Sequence, residues 1–429
     1  MRILYNLAFI IFGILYLPYL VITGRYKYGL KDRLGFLPEK IKSICSKSKV
    51  IWVHGVSVGE IKAAGILAPL LRKAFPSHTL LFSTVTNTGN KVAATIAGAA
   101  EGVFYLPFDI SFIVHRVVKI IKPDIFISME TELWPNLLSS LHRSGARLIL
   151  ANGRISDRSF PRYKKGRAFA EDILKKFSLI LTQSGKDAAR FIELGAPKEN
   201  VRVTGNLKFD IPALDIEKKR DELRRKLGLQ ENEILLIAGS THRGEEETIT
   251  GCFMAMKGKY DKLRLLIAPR HIERTTEIEK LLSRKGLKSE KISSLALEPR
   301  ASNLEPVFIL DTIGELRAMY SAGDIVFVGG SLVKKGGQNP IEPAILGRPV
   351  MFGKYTFNFQ DVVKLFRENS SAIEANNKEE ICAALRILLE DPERRKTLGM
   401  NARDTVLKNS GSSQRTVDYI LNLPLYKSV

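Results

Sequence analysis

Seven short runs rich in β-branched and aromatic residues, VIWVHG, TLLFST, VFYLPF, DIFISM, RLILAN, LILTQS and VRVTG, succeed one another between Val50 and Gly205, alternating with stretches of helical pattern. Alternation of this kind folds as a parallel, doubly wound sheet, because each chain segment must cross a sheet face before it can start the next strand beside the last. The runs lack a clean apolar and polar alternation, which fits strands buried on both faces. A second series, EILLIAGS, RLLIAPR, PVFILD, DIVFVGGS and PVMFG, begins at Glu233, and helical segments follow from about Lys378 to Leu421. The chain has 429 residues, more than one hydrophobic core usually supports, so the two series read as two Rossmann-like α/β domains facing a cleft at the carboxyl ends of their strands.

Residues 3–22, ILYNLAFIIFGILYLPYLVI, carry no charge and only Asn6 is clearly polar. At about 1.5 Å per residue such a helix crosses a hydrocarbon layer of roughly 30 Å once. The small-residue cleavage site of a signal peptide is missing, since Gly24, Arg25, Tyr26, Lys27 and Tyr28 follow. Residues 25–49 hold eight Lys or Arg against Asp32 and Glu39, and by the positive-inside rule the large remainder is expected on the cytoplasmic side. Pro18 and the tyrosines leave a helix lying in the interface as the alternative. The expected division is a membrane anchor over 1–24, a basic juxtamembrane segment over 25–48, a first domain over 49–211, a charged linker over 212–232 and a second domain over 233–429. The last helices of the second domain are free to pack back on the first.

Sixty-six Lys and Arg against 45 Asp and Glu give a net charge of +21, which asks for an anionic partner: a nucleic acid, an anionic membrane or a phosphorylated substrate. Three cysteines, Cys45, Cys252 and Cys382, with no CxxC pair, exclude a disulfide scaffold and a zinc site; an odd, sparse set of thiols suits a reducing compartment. No Walker sequence and no GxGxxG occurs, which counts against ATP hydrolysis and nicotinamide chemistry, and no metal cluster or other cofactor site emerges.

Chemistry-bearing residues collect at strand ends. The first strand leads into Gly55-Val56-Ser57-Val58-Gly59-Glu60, where Glu60 either completes a capping box with Ser57 or serves as a general base at a helix N-terminus. The fourth strand leads into Glu130-Thr131-Glu132-Leu133-Trp134, which adds two carboxylates at the same edge; such crowding needs a cation or acid/base work to justify it. Asn152, Arg154 and Lys208 fall on the same rim. In the second half, Pro269 and Arg270 follow a strand and suit a phosphate; Ile313, Gly314 and Glu315 form a strand-to-helix turn. A glycine-rich loop, Lys334 to Gln338, leads to Asn339 as helix cap, Pro340 and Ile341 in the first turn, and Glu342 placed either for ribose hydroxyls or for the helix dipole. His54 and His242 read as structural or substrate-contacting residues, and Trp52 as core.

In chain order, an apolar N-terminus, HGVSVGE, METELWPN, NGRIS, GNLKFD, APRH and GGQNPIEPA resemble the bacterial 3-deoxy-D-manno-octulosonic acid (Kdo) transferases of lipopolysaccharide assembly, and the likeness covers nearly the whole chain. The resemblance implies a GT-B fold, a CMP-Kdo donor, a lipid IVA acceptor at the cytoplasmic leaflet of the bacterial inner membrane, and inversion without a metal or cofactor. It also implies Glu60 as catalytic base and Glu130 and Lys208 as supports of the transition state. CMP contacts are implied at Pro269 and Arg270, at Ile313, Gly314 and Glu315, and at Asn339, Pro340, Ile341 and Glu342. The rival readings are a nucleotide-sugar epimerase of the same architecture and a non-enzymatic binder of nucleic acid or anionic lipid; acid clusters at strand ends speak against the binder.

Overall fold

The computed structural model describes Tyr5 and residues 28–98, 101–211, 216–295 and 307–423. It divides into two compact units, one formed by residues 1–210 and 410–429 and the other by 211–409. Each is built on a seven-stranded sheet in which every pairing is parallel.

In the first unit β1 (Lys49–His54), β2 (His78–Thr84), β3 (Gly102–Tyr105), β4 (Ile125–Met129), β5 (Arg147–Gly153), β6 (Leu179–Thr182) and β7 (Val201–Val203) lie in the order β3-β2-β1-β4-β5-β6-β7. Side chains of successive strand residues point to opposite faces, and the core divides accordingly. Val50, Trp52, Phe126, Leu148 and Leu150 pack on one face beneath the helices Ser111–Ile121, Pro135–Arg143 and Arg167–Leu174. Ile51, Val53, Ile127, Ile149 and Ala151 pack on the other beneath Val58–Ala74. The terminal helix Ser412–Leu421 adds Val417 and Ile420 to that second face. Asp210 fastens this return: its carboxylate accepts from Gly411 N–H at 2.7 Å and from Ser413 N–H, capping the terminal helix where the chain comes back. Trp52 is fully buried, as its reading as core requires.

The second unit repeats the plan with β8 (Ile234–Thr241), β9 (Leu263–Pro269), β10 (Ser289–Lys291), β11 (Val307–Ile309), β12 (Ile325–Val328), β13 (Val350–Phe352) and β14 (Ile373–Glu374) in the order β10-β11-β9-β8-β12-β13-β14. Within the segment read as linker, residues 216–226 form a helix fastened to this sheet through Asp324. Oδ1 of Asp324 receives Arg220 at 2.9 Å, and Oδ2 receives Arg224 at 3.0 Å and the Leu235 N–H at 2.9 Å.

The three-thiol reading needs correction at two positions. Cys252, on the helix Glu245–Lys257, is joined by a disulfide to Cys382, on Lys378–Glu390, across a sequence separation of 130. The bond forms because both helices cover one face of the second sheet, a neighbourhood that spacing along the chain does not reveal. Cys45 is the free cysteine. The apolar segment 3–22, apart from Tyr5, lies outside the described residues, and among the described residues no helix is long and apolar enough to cross a membrane.

Burial by itself would raise the Asp324 carboxyl, but Arg224 and Arg220 reverse this and hold it below the usual carboxylate range. A depressed folded value makes the pair stabilising above the unfolded carboxylate value near ~4, with loss as pH falls through the folded value. Asp324→Ala should cost about 3–5 kcal/mol at pH 7 by stranding buried Arg224, and the deficit relative to the unaltered chain should shrink below about pH 4. Urea unfolding at pH 7 and pH 3 measures both, and an equal deficit at the two pH values would contradict the assignment.

Candidate active site

In a doubly wound sheet the crevice opens where the chain leaves two neighbouring strands toward opposite faces. In the first unit that point lies between β1 and β4, which pair directly, with His54 opposite Ser128. Glu60 follows β1 and Glu130 and Glu132 follow β4, so the fold brings the three carboxylates to one edge.

Ser57 is the N-cap of Val58–Ala74, with Oγ accepting from Glu60 N–H at 3.4 Å. The Glu60 carboxylate reaches back and accepts from Ser57 Oγ–H at 2.8 Å and from Val56 N–H at 2.7 Å. This is the expected capping box with its return bond moved one residue outward, to Val56. Glu60 is only 7% exposed. Burial pushes its pKa above the ordinary range, the charge of Glu130 pushes the same way, and the two donors oppose them.

Glu130 sits at φ 57°, in the left-handed region, and its N–H donates to Ala151 O at 2.8 Å. A non-glycine residue there costs roughly 1–3 kcal/mol, a strain that proteins retain mainly at functional sites. Asn152, at the end of β5, also has φ 57°. The Glu132 carboxyl is pushed up to about 7, first by burial and then by the charges of Glu60 and Glu130, with the Trp134 indole opposing. Thr131 donates to Arg154 O and Ser128 Oγ to Glu132 O at 3.0 Å, which fixes the turn carrying the acids.

Lys208 lies on the short 3-10 turn Leu207–Phe209. Asn152 ties this turn to the sheet edge by accepting Leu207 N–H at 3.0 Å, and Leu207 packs in the same core cluster as Ile61 and Met129. The lysine therefore joins the neighbourhood of the acids through one buried amide. Asn152 Nδ2 is buried without a protein partner among the described residues. His54 is buried and its pKa is lowered to about 4 by burial, with Nδ1 bonded to Ser83 O at 3.1 Å and Ser83 Oγ at 2.9 Å; it is a neutral structural residue.

In the second unit the crevice lies between β8 and β12. Pro269 ends β9, and Arg270 follows with an exposed side chain and its N–H bonded to Thr241 O at 2.9 Å. Ile313, Gly314 and Glu315 form an exposed turn after β11, with Ile313 86% accessible and Thr312 donating to Glu315. Gly336 and Gly337 adopt φ 92° and 74°, and a Cβ on Gly336 would lie 2.4 Å from the Phe357 ring, so the loop needs glycine there. Asn339 Oδ1 accepts Ile341 N–H at 3.1 Å and Nδ2 donates to Glu342 at 3.2 Å. The capping chemistry is the expected one, but Pro340 occupies the N-cap and Ile341–Ile345 spans only five residues. So short a helix has little macrodipole, and anion affinity here rests on individual N–H donors.

Sequence reasoning missed Glu245. Fully buried, its carboxylate accepts four backbone N–H groups: His242 at 2.8 Å, Gly330 at 2.7 Å, Ser331 at 3.0 Å and Leu332 at 2.9 Å. It locks the β12 exit, Gly329 to Leu332, onto the end of β8. The only signal for it was its place two residues beyond Arg243, opening a helix after a strand. Among the described residues no group of three or more His, Cys, Asp or Glu is arranged to hold a metal ion.

Two parallel α/β units of this kind form the fold also seen in glycosyltransferases of the GT-B kind. A glycosyltransferase from Rickettsia africae shares it at 14% identity over 87% of this chain and 98% of that one, with TM-score 0.55. So does a UDP-GlcNAc 2-epimerase from Neisseria meningitidis at 13% identity over 87% of this chain and 100% of that one, with TM-score 0.57. Fold alone thus leaves the reaction open. The sequence profile of the 3-deoxy-D-manno-octulosonic-acid transferases (kdotransferases) matches residues 28–211. The 3-deoxy-D-manno-octulosonic acid transferase of Haemophilus influenzae is 36% identical over 399 residues, 93% of this chain and 92% of that one. The chain belongs to the Kdo transferase family and is a glycosyltransferase.

Glu245→Ala should destabilise the protein by about 3 kcal/mol or more, since it strands several buried N–H donors at once. Equilibrium unfolding in urea checks this; a loss below about 1 kcal/mol would show that the carboxylate does not hold the loop.

Proposed function

We propose that the chain transfers Kdo from CMP-Kdo to lipid IVA with inversion and without a metal, as an assembly step of lipopolysaccharide. The observation that carries this reading is the Glu60 carboxylate, buried at the sheet's crevice, raised in pKa by burial and by Glu130, and held by two donors. A sugar hydroxyl is a weak nucleophile until a base takes its proton, and a carboxyl with a raised pKa is a better acceptor for it. In this reading the acceptor oxygen attacks the anomeric carbon of Kdo and Glu60 takes the hydroxyl proton. The bond to the phosphate oxygen breaks on the opposite face, and CMP leaves with the electron pair.

Arg270 and the N–H donors around Asn339 and Ile341 offset the charge growing on the departing phosphate. Glu342 accepts from the ribose, and Ile313 to Glu315 bound the nucleotide. Lys208 and the unpaired Asn152 amide stand on the acid side, where donors can stabilise the transition state without neutralising Glu60. The reaction needs donor and base brought together, so the two units must meet around both substrates. Residues 3–22 hold the chain at the inner membrane with both units on the cytoplasmic side. The juxtamembrane cations then face anionic headgroups, which assigns much of the +21 charge to lipid rather than nucleic acid.

Glu60→Gln keeps the shape and both donors but removes the base. Transfer to lipid IVA, followed by mass spectrometry of the product, should fall by roughly 10²–10⁴-fold while CMP-Kdo binding persists. Wild-type turnover in the mutant would exclude Glu60 as base. Removal of residues 1–25 should leave the circular dichroism spectrum of the α/β units intact and release the protein from vesicles containing anionic phospholipid. Undiminished sedimentation with those vesicles would refute the anchor.

A further inference from the structure

A cavity of about 620 Å³ in the first unit is lined by Glu132 together with Trp134, Tyr163 and Phe169. It therefore joins an aromatic surface to one of the three crowded acids. Burial, and after it the charge of Glu132, raises the Tyr163 hydroxyl, and both side chains line the one cavity.

The cavity's charged neighbours come from the segment around the helix Phe160–Lys165. Arg162 lines the cavity, and Arg158 and Lys165 lie four residues before it and three after; all three are exposed and none pairs with a carboxylate among the described residues. Nearby cations that do have partners, Arg190 with Asp157 and Lys164 with Glu193, show that carboxylates were available to this region and leave these three free. Unpaired exposed cations beside an aromatic surface suit an amphiphile with an anionic head. Tyr5, within the apolar N-terminal segment, lines the same cavity, donating to Asp109 Oδ2 at 3.0 Å with its ring 6.2 Å from Phe169.

We propose that this cavity seats the acceptor, a phosphorylated glycolipid: Trp134, Tyr163 and Phe169 take its apolar and sugar surfaces, and Arg162, with Arg158 and Lys165, takes a phosphate. The proposal rests on the acceptor reading above. A second cavity, of about 860 Å³, is also cationic, with Lys49, Lys119, Lys122, Arg143 and Arg147 in its lining. It sits at the amino ends of β1, β4 and β5, however. A strand of five or six residues at about 3.3 Å each puts roughly 16–20 Å between that edge and the acids, so an acceptor hydroxyl held there cannot give its proton to Glu60.

The test uses the full chain with CMP-Kdo and lipid IVA in mixed micelles. The double variant Arg162→Glu/Lys165→Glu, on exposed positions, should raise KM for lipid IVA by roughly tenfold or more while KM for CMP-Kdo stays within about twofold. Arg143→Glu, in the second cavity, should change neither. On an acceptor stripped of its phosphates the double variant should lose no more than the unaltered chain, the coupling expected of groups in contact. Equal lipid IVA KM values in the double variant and the unaltered chain, or a rise caused by Arg143→Glu instead, would overturn this seat while leaving the transfer reaction standing. Absence of any transfer to lipid IVA by the unaltered chain would overturn the acceptor reading, and this seat with it.

Discussion

Parallel pairing is the constraint from which the rest of this protein follows. A parallel strand can be continued only by a crossover, so the central strands are buried almost throughout and the turns carrying the candidate site lie at sheet edges. Where the winding reverses, at β1 and β4 in one unit and β8 and β12 in the other, consecutive turns diverge and leave a crevice walled by backbone N–H groups. The first unit fills its crevice edge with carboxylates. The second fills it with glycine turns, an exposed arginine and a locked loop. In the proposed reading, acceptor-side proton chemistry and donor-side phosphate binding are divided between two copies of one architecture, which is what a reaction joining two unlike substrates needs.

Crowding three acids is unfavourable unless it is used. Burial is the largest effect at both Glu60 and Glu132, and the charges of neighbouring acids add to it; at Glu132, pushed up to about 7, this shifts titration to near neutrality. Raising one carboxyl in this way relieves the repulsion of three charges crowded in a buried site. The strained backbone at Glu130 and Asn152 belongs to the same economy of position. Glu130 follows the end of β4, and Asn152 lies buried in the irregular stretch of β5 between Leu150 and Gly153, where its left-handed conformation goes with the shift of strand register.

Fully buried parallel strands advertise themselves as uninterrupted apolar runs, and every run from VIWVHG to PVMFG became a strand or its immediate exit. The placement of Glu130 and Arg270 was legible for the same reason, since each directly follows such a run, and that of Glu60 from the capping pattern that opens the helix after β1. What stayed hidden depends on partners remote in sequence. Glu245 reaches Gly330 across 85 positions, Asp210 caps a helix starting two hundred residues later, and the Cys252–Cys382 bond joins helices that only the second sheet brings side by side. Local capping was readable at Ser57 and, shifted by one residue, at Asn339. The five-residue length of the helix at Ile341 was not, because Pro343 and Ala344 continue a helical pattern that Gly347 then ends at φ 68°.

Glu60 reconciles two readings that the sequence alone set against each other. A carboxylate that caps a helix is ordinarily a structural fixture, and one that serves as a base must stay able to change its charge. Here the cap uses one donor on each oxygen, Val56 N–H on Oε2 and Ser57 Oγ–H on Oε1, which leaves a lone pair on both oxygens. Those donors weaken when the carboxylate is protonated, so they resist taking up the proton, while burial and Glu130 favour it. If Glu60 is the base, as proposed, a side chain poised between such opposed effects suits taking up a proton during the reaction and releasing it afterwards, and the cap fixes its position. In the proposed reading structural and chemical roles therefore need not compete: the hydrogen bonds that orient Glu60 are also the ones that favour its ionised form.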